Sequence, residues 1–304
     1  MKTYPTYVCK TSNEVKEATG NLDKAKLVPI KIDDGGVVKD VDNFRGVYNV
    51  SQGKFCTTVV PYYNLVQHKQ YFDSFADAMD RLGLKYTMTV KQSGNRAFAD
   101  IEFEDRNIKF DKLDEEFTTG IRLINSYDKS TGVFVIPRLT RLACANGMIL
   151  TRSEKTLSVK HHTKMVAQIE TFVERKINEI IADDGMLQEW VSNCMKDSIE
   201  WKVACKIVEK LFDQLKHRGK ILEKLGIGVI ELTDKKSKKK SVSYVWNKKE
   251  EKKDKFTRWE MYNAMTAYIT HGEQITPHIE NLFQRKAEKL LITPLAKMPR
   301  AEGI

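Results

Sequence analysis

Lys85–Glu104 reads KYTMTVKQSGNRAFADIEFE, and this stretch decides the fold class. On either side of Ser93-Gly94-Asn95, apolar and polar residues alternate with a period of two, the pattern of two half-buried strands joined by a tight turn. Sequential strands joined so closely are antiparallel, and the sequence on both sides repeats the theme. Upstream, Leu27–Ile32 and Gly46–Val50 read as strands around the turn Asp33-Asp34-Gly35-Gly36, and Phe55–Pro61 as a β-branched strand. A helix is expected near Ser74–Leu82, with Ser74 as its cap and Gly83 as its stop. Downstream, Phe110–Glu116 reads as a connector. Strands follow at Thr118–Ser126 and Gly132–Leu139, then a turn of helix at Thr140–Ala145, an Asn146-Gly147 turn and a strand over Ile149–Val159.

The pattern then changes. In Met165–Ile181, Val166, Ile169, Val173, Ile177 and Ile180 lie on one helical stripe. Helices are also expected at Met186–Met195 and Ser198–Leu215, the latter with Trp201, Ala204, Ile207, Val208, Leu211 and Leu215 facing one way. Thr257-Arg258-Trp259-Glu260 has capping-box spacing and opens a further helix, and Thr276-Pro277 opens the last. The fold class is therefore α+β. A polar, loosely structured arm at 1–26 precedes a mainly antiparallel β domain with one helix at 27–163. A helical region with a lysine-rich hairpin or loop at 235–255 occupies 164–304.

Composition sets the function classes. The chain has 304 residues, 51 Lys+Arg against 41 Asp+Glu and a net charge of +10, which favours an anionic partner. Residues 1–150 contribute +2 (21 basic, 19 acidic), leaving +8 for residues 151–304. Five dispersed cysteines fit a reducing compartment rather than a disulfide scaffold. With no apolar leader and no run of about 18 apolar residues, the expectation is a cytoplasmic protein without membrane contact.

No phosphate-loop, dinucleotide or nucleophile-elbow motif occurs, and Gly226-Ile227-Gly228 is too short to substitute. Cys144, His161 and His162, or Cys194 and Cys205, lack paired metal-ligand spacing, and adjacent histidines on a strand point to opposite faces. No catalytic residue, cofactor or metal is expected. Asp100, Glu102 and Glu104 share one face of a strand, either the solvated face of the hairpin or, less simply, magnesium ligands of a nuclease.

Cations offer more. Arg122, Arg138, Arg141, Arg152, Lys155 and Lys160 gather in one β-rich stretch, where arginine forks would grip phosphates unless acids such as Glu115, Glu116, Asp128 or Glu154 pair with them. The segment 235–255 holds ten lysines and three acids around Tyr244 and Trp246. Its Lys238, Lys239, Lys240, Lys248 and Lys249 suit phosphates and its aromatics suit stacked bases, or the aromatics pack on the body. Nucleic acid, single-stranded DNA above all, is the leading partner. A host protein is the alternative, with Trp190, Trp201 or Trp259 as the anchor.

Four runs carry a family resemblance: Asn125-Ser126-Tyr127-Asp128, the Arg138–Met148 segment RLTRLACANGM, Lys160-His161-His162-Thr163, and WEMYNAMTAYITH at Trp259–His271. Together they resemble the phage and plasmid proteins grouped as domain of unknown function 932, over roughly residues 50–290. The N-terminal arm and the lysine tract read as departures. The resemblance implies a mobile-element context rather than a reaction. The layout of helix, hairpin and basic strands is also similar to that of single-strand annealing recombinases, which bind DNA as rings or filaments without nucleotide. Homo-oligomers follow as an expectation.

Overall fold

The computed structural model describes residues 5–110, 115–141, 146–149, 157–159, 184–233, 240–246 and 253–271, with a few single positions elsewhere. The chain forms two compact units, the first comprising Met1–Ala143, Ile149–Asp184 and Thr276–His278, the second Cys144–Met148, Gly185–Ile275 and Ile279–Ile304. The fold is α+β, with antiparallel sheets in the first unit and most of the described helices in the second.

The first unit is built on a sheet containing β1 (Tyr7–Cys9), β5 (Tyr86–Ser93), β6 (Arg96–Phe110), β7 (Glu115–Ser126), β8 (Val133–Arg141) and β10 (Leu157–Val159), hydrogen-bonded in that order. Every pairing along this path is antiparallel. The Lys85–Glu104 reading holds: Ser93 faces Arg96 across a two-residue loop, and Gly94 takes φ +58°, as the first central residue of a II′-type turn does. One sheet face buries Met88, Val90, Ala97, Ala99, Ile101, Phe103, Ile121 and Leu123 against α1 (Ser12–Gly20) and α2 (His68–Arg81). A second, three-stranded sheet runs β2 (Ala25–Asp34), β3 (Val37–Asn49), β4 (Lys54–Val59). Asn146–Ile149 forms β9, so the pair read as an Asn-Gly turn lies in a strand.

Three further local expectations are corrected. The N-terminal arm is structured: β1 pairs with β5, Thr11 Oγ1 accepts the Glu14 N–H at 3.3 Å, and α1 buries Val15. Helix α2 starts at His68 rather than Ser74, because Tyr71, Phe72 and Phe75 extend the buried stripe backward and Ser74 Oγ donates to the Gln70 carbonyl at 2.9 Å. Its end was legible. Gly83 has φ +65°, with Leu84 N–H on Met79 O and Gly83 N–H on Asp80 O, both 3.0 Å, a Schellman cap.

The third correction concerns the second unit. Ser198–Leu215 is not one helix: Ser198–Glu200 is strand β11, followed by α4 (Trp201–Leu211) and α5 (Leu215–Glu223). Arg218 bridges the break by donating to the Phe212 carbonyl at 2.5 Å and the Asp213 carbonyl at 2.9 Å. Before them lies α3 (Asp184–Lys196). The lysine-rich segment contributes to a hairpin in which β12 (Ile227–Thr233) pairs with β13 (Lys240–Trp246). Strand β14 (Lys255–Thr257) pairs with β11 and leads into α6 (Arg258–His271). The capping box is formed as read: Thr257 N–H donates to Glu260 Oε2 at 2.8 Å, and Glu260 N–H to Thr257 Oγ1 at 3.0 Å. The Met165–Ile181 and Thr276 helices lie outside the described residues, apart from scattered positions.

Candidate nucleic-acid interface

Register places the expected phosphate-gripping arginines opposite carboxylates. Asp100 on β6 faces Arg122 on β7, and Glu102 faces Gly120, which faces Arg138 on β8. Arg122 grips Asp100 with both arms of its guanidinium, Nε to Oδ1 at 2.5 Å and Nη2 to Oδ2 at 2.8 Å. Arg138 Nη1 lies 3.5 Å from Asp100 and 3.6 Å from Glu102, and Lys91 Nζ lies 3.3 Å from Asp100. Glu102 also accepts the Thr140 hydroxyl at 2.8 Å. The cluster is buried, with Arg122 only 1% exposed, Asp100 5% and Arg138 8%. Burial alone pushes the Asp100 carboxyl up, but Arg122, Arg138 and Lys91 overcome it and hold the group well below the usual carboxylate range. Gly120 makes the approach of β6 and β7 possible, since a Cβ there would stand 2.0 Å from the Ile101 carbonyl oxygen.

Arg122 and Arg138 are therefore corrected as phosphate ligands. Their charge is committed inside the fold, to Asp100 and Glu102 rather than to the acids that the sequence suggested. The same geometry corrects the acidic strand: Asp100 is not on a solvated face, and Glu104, which is exposed, lies 3.4 Å from Lys10. Among the described residues no group of three His, Cys, Asp or Glu side chains is placed to hold a metal. Trp259 is buried and stacked on Tyr262 at 5.9 Å, which corrects it as an exposed anchor.

The Asn125-Ser126-Tyr127-Asp128 run is likewise structural. Asn125 Nδ2 donates to the Val66 carbonyl at 3.0 Å. The Tyr127 hydroxyl donates to the Asp23 carbonyl at 2.9 Å and accepts the His68 N–H at 3.1 Å, while the Tyr127 and His68 rings stack 3.8 Å apart. Asp128 Oδ1 accepts the Ser130 N–H at 2.9 Å, shaping the β7–β8 turn. These residues tie the end of β7 to the start of α2.

Other expected contacts are distributed differently. Arg141 ends β8 opposite Phe117, and Lys240 opens β13 opposite Thr233. Arg152, Lys155, Lys160, Lys238, Lys239, Lys248 and Lys249 lie outside the described residues. Trp246 stacks on Phe256 with centroids 6.1 Å apart and a 17° interplanar angle. Tyr244 is half-buried, and burial, with Glu209 nearby, raises its hydroxyl pKa. Both aromatics thus have part of their surface committed to the hairpin's surroundings.

The structure adds a cationic feature that the sequence reading missed. On α4, Lys202, Lys206 and Lys210 recur every four residues, on the side opposite the buried Ala204, Ile207 and Val208. On α5, Lys216 and Lys220 continue to Lys224 at its C-cap with the same spacing. All are exposed except Lys206, which is half-buried. The four-residue spacing was visible, but attention to the apolar stripe of a single long helix hid two consecutive ladders.

The family model for a domain of unknown function, DUF932, matches residues 57–292. No curated protein and no solved structure matches the chain. The matched span includes the buried Asp100–Arg122–Arg138 network, the Tyr127 tie and both lysine ladders, and it leaves out β1 to β3. With more than half of its length covered by that model, the chain belongs to the DUF932 family.

Proposed function

We propose that the protein binds nucleic acid through its second unit, with single-stranded DNA the favoured form and a phage or plasmid the expected setting. The observation that carries this reading is the pair of lysine ladders, Lys202-Lys206-Lys210 and Lys216-Lys220-Lys224, in the half of the chain that holds most of the net charge. Each ladder places like charges four residues apart, which costs an isolated helix about 0.2–0.5 kcal/mol per pair. Four such pairs cost about 1–2 kcal/mol in all, only partly offset where Lys220 meets Glu223 at 3.4 Å and Arg218 meets Glu209 at 3.1 Å. A polyanion relieves that repulsion. Clustered lysines neutralise phosphates and release counterions without reading sequence.

The lysines of 235–255 add to the charge of the same unit, and the half-buried Tyr244 and Trp246 are the aromatics proposed to stack on bases. Arg141, Arg152, Lys155 and Lys160 belong to the first unit and are proposed as a separate contact. No nucleotide or metal is required. The test is fluorescence anisotropy of labelled single- and double-stranded oligonucleotides across a salt series. If all six ladder lysines engage phosphates of a single strand, log K falls against log salt with a slope of about −4 from the ladders, and EDTA leaves binding intact. A flat salt response would remove the reading.

A further inference from the structure

We infer that the outer edge of β2 is a self-association site, taking a second copy of this chain antiparallel to itself about a two-fold axis through Ile30. This inference does not rest on the nucleic-acid reading. Among the described residues β2 is the terminal strand of its sheet, and beyond the pairing of Arg45 with Val59 no third strand joins the β2–β3 hairpin. A two-stranded ribbon is marginal in water by itself. Its large apolar residues are nevertheless exposed, among them Ile32 (55%), Val37, Val38 and Phe44. At its base the inward face is covered, with Ala25, Val47, Val59 and Tyr127 forming one cluster. The outward face is only half-covered, with Val28 and Ile30 half-buried and Ile32 exposed. There Gly46 leaves room for the Phe55 ring beside Val28, since a Cβ at Gly46 would lie 2.7 Å from Phe55 and 3.0 Å from Val28.

The sequence of β2 says what fits this edge. By alternation along β2, Lys26, Val28, Ile30, Ile32 and Asp34 share one side in order, a cation, three aliphatics and an anion; the register shift between Pro29 and Lys31 places its extra residues on β3, which runs from Arg45 to Asp40 while β2 advances by two. An antiparallel copy centred on Ile30 sets Lys26 opposite Asp34 twice and Val28 opposite Ile32 twice, with Ile30 opposite itself. Cross-strand pairs of opposite charge and of β-branched residues are the favourable ones. Perpendicular two-fold symmetry keeps outward faces together, as an isologous contact requires. Over residues 26–45 four basic side chains (Lys26, Lys31, Lys39, Arg45) meet four acidic ones (Asp33, Asp34, Asp40, Asp42), so this ribbon is neutral in a chain of net charge +10. Two copies approach here without repulsion, whereas a polyanion has no reason to.

The backbone permits it. Ala25 has its outward N–H on Gln67 Oε1 at 3.2 Å and its carbonyl on Gln67 Nε2 at 2.8 Å, so the edge is closed at its base. Alternation then turns the backbone groups of Leu27, Lys31 and Asp33 outward for a partner strand. Pro29 lacks one outward donor, which limits the ladder and makes the side-chain match more important. Lys39 also reaches Asp34, at 2.6 Å, and would share that carboxylate with the partner's Lys26.

The test is sedimentation velocity of the full chain, nuclease-treated and free of nucleic acid, over a concentration series. The wild type is expected to dimerise. Lys26→Asp and Asp34→Lys each shift it to monomer, and the double variant K26D/D34K recovers the dimer, which misfolding cannot mimic. Ile30→Cys, oxidised, gives a disulfide-linked dimer that the wild type does not. A wild type that is monomeric throughout, an association indifferent to both charge reversals, or an arm that engages only a different protein would each overturn the proposal.

Discussion

The sheet of the first unit and the helices of the second both concentrate cations, and they use them in opposite ways. Arg122 and Arg138 stand beside Asp100 and Glu102, buried and held by carboxylates on the neighbouring strand. The lysines of α4 and α5 stand on the solvent side of their helices with a like charge four residues away, while Glu209 and Glu223 stand three residues beyond Lys206 and Lys220. In the first case desolvation demands a counter-charge within the fold, and an arginine so matched has little left for a phosphate. In the second, water holds the charges apart until a polyanion replaces it. Counting basic residues along a sequence does not separate the two. What separates them is whether a carboxylate faces each cation across a strand.

The largest way to break that contrast is to remove the buried anion. Asp100→Ala removes the carboxylate that Arg122 and Lys91 meet and leaves Arg138 with Glu102, and is expected to cost about 3–5 kcal/mol by chemical denaturation. Because the folded-state pKa of Asp100 is depressed, its stabilisation is complete above its unfolded pKa and is lost only as pH falls through the lower folded value. Acid unfolding of the wild type should therefore show no loss from this group near pH 5, and Asp100→Ala should narrow its stability deficit only in strong acid.

Next in size is the effect of the ladder on binding. K202A/K206A/K210A is expected to flatten the single-strand salt slope by about 2, with stability unchanged or slightly raised, as read from anisotropy and thermal melts. A smaller effect belongs to the α6 capping box: Thr257→Ala should cost about 1 kcal/mol and leave DNA affinity alone. Burial raises the Glu260 carboxyl, but the Lys253 and Thr257 hydrogen bonds outweigh it and the net shift is downward. Glu260→Gln should thus destabilise at pH 7 and approach the wild type as pH falls below the carboxylate range. Smallest is His217, whose pKa is lowered by burial, then by Lys216 and Lys286. Its depressed folded pKa means that stability declines as pH drops below the unfolded value near 6.5, and His217→Gln should blunt that decline.

Local chemistry was readable from the residues. Period-two alternation around Gly94, the glycine stop at Gly83 and the Thr257–Glu260 box each depend on a few neighbours, and each formed as read. Ser74 misled because a serine inside a helix can bond the carbonyl four residues back, so a capping residue is no proof of an end. The long helix over Ser198–Leu215 failed since nothing local announces that Ser198–Glu200 pairs with Lys255–Thr257 more than fifty residues away. The arginines failed for the same reason on a larger scale. Asp100 and Arg122 lie in separate strands, and only the register makes them partners.

One experiment separates the cations that meet a phosphate from those that the fold uses internally. The salt slope of single-strand binding would be measured for the wild type, K202A/K206A/K210A and Arg138→Met, each confirmed folded. The ladder variant is predicted to lose affinity and slope together, while Arg138→Met keeps the wild-type slope. The reverse pattern, with the slope tracking Arg138 and indifferent to the ladder, would contradict the account.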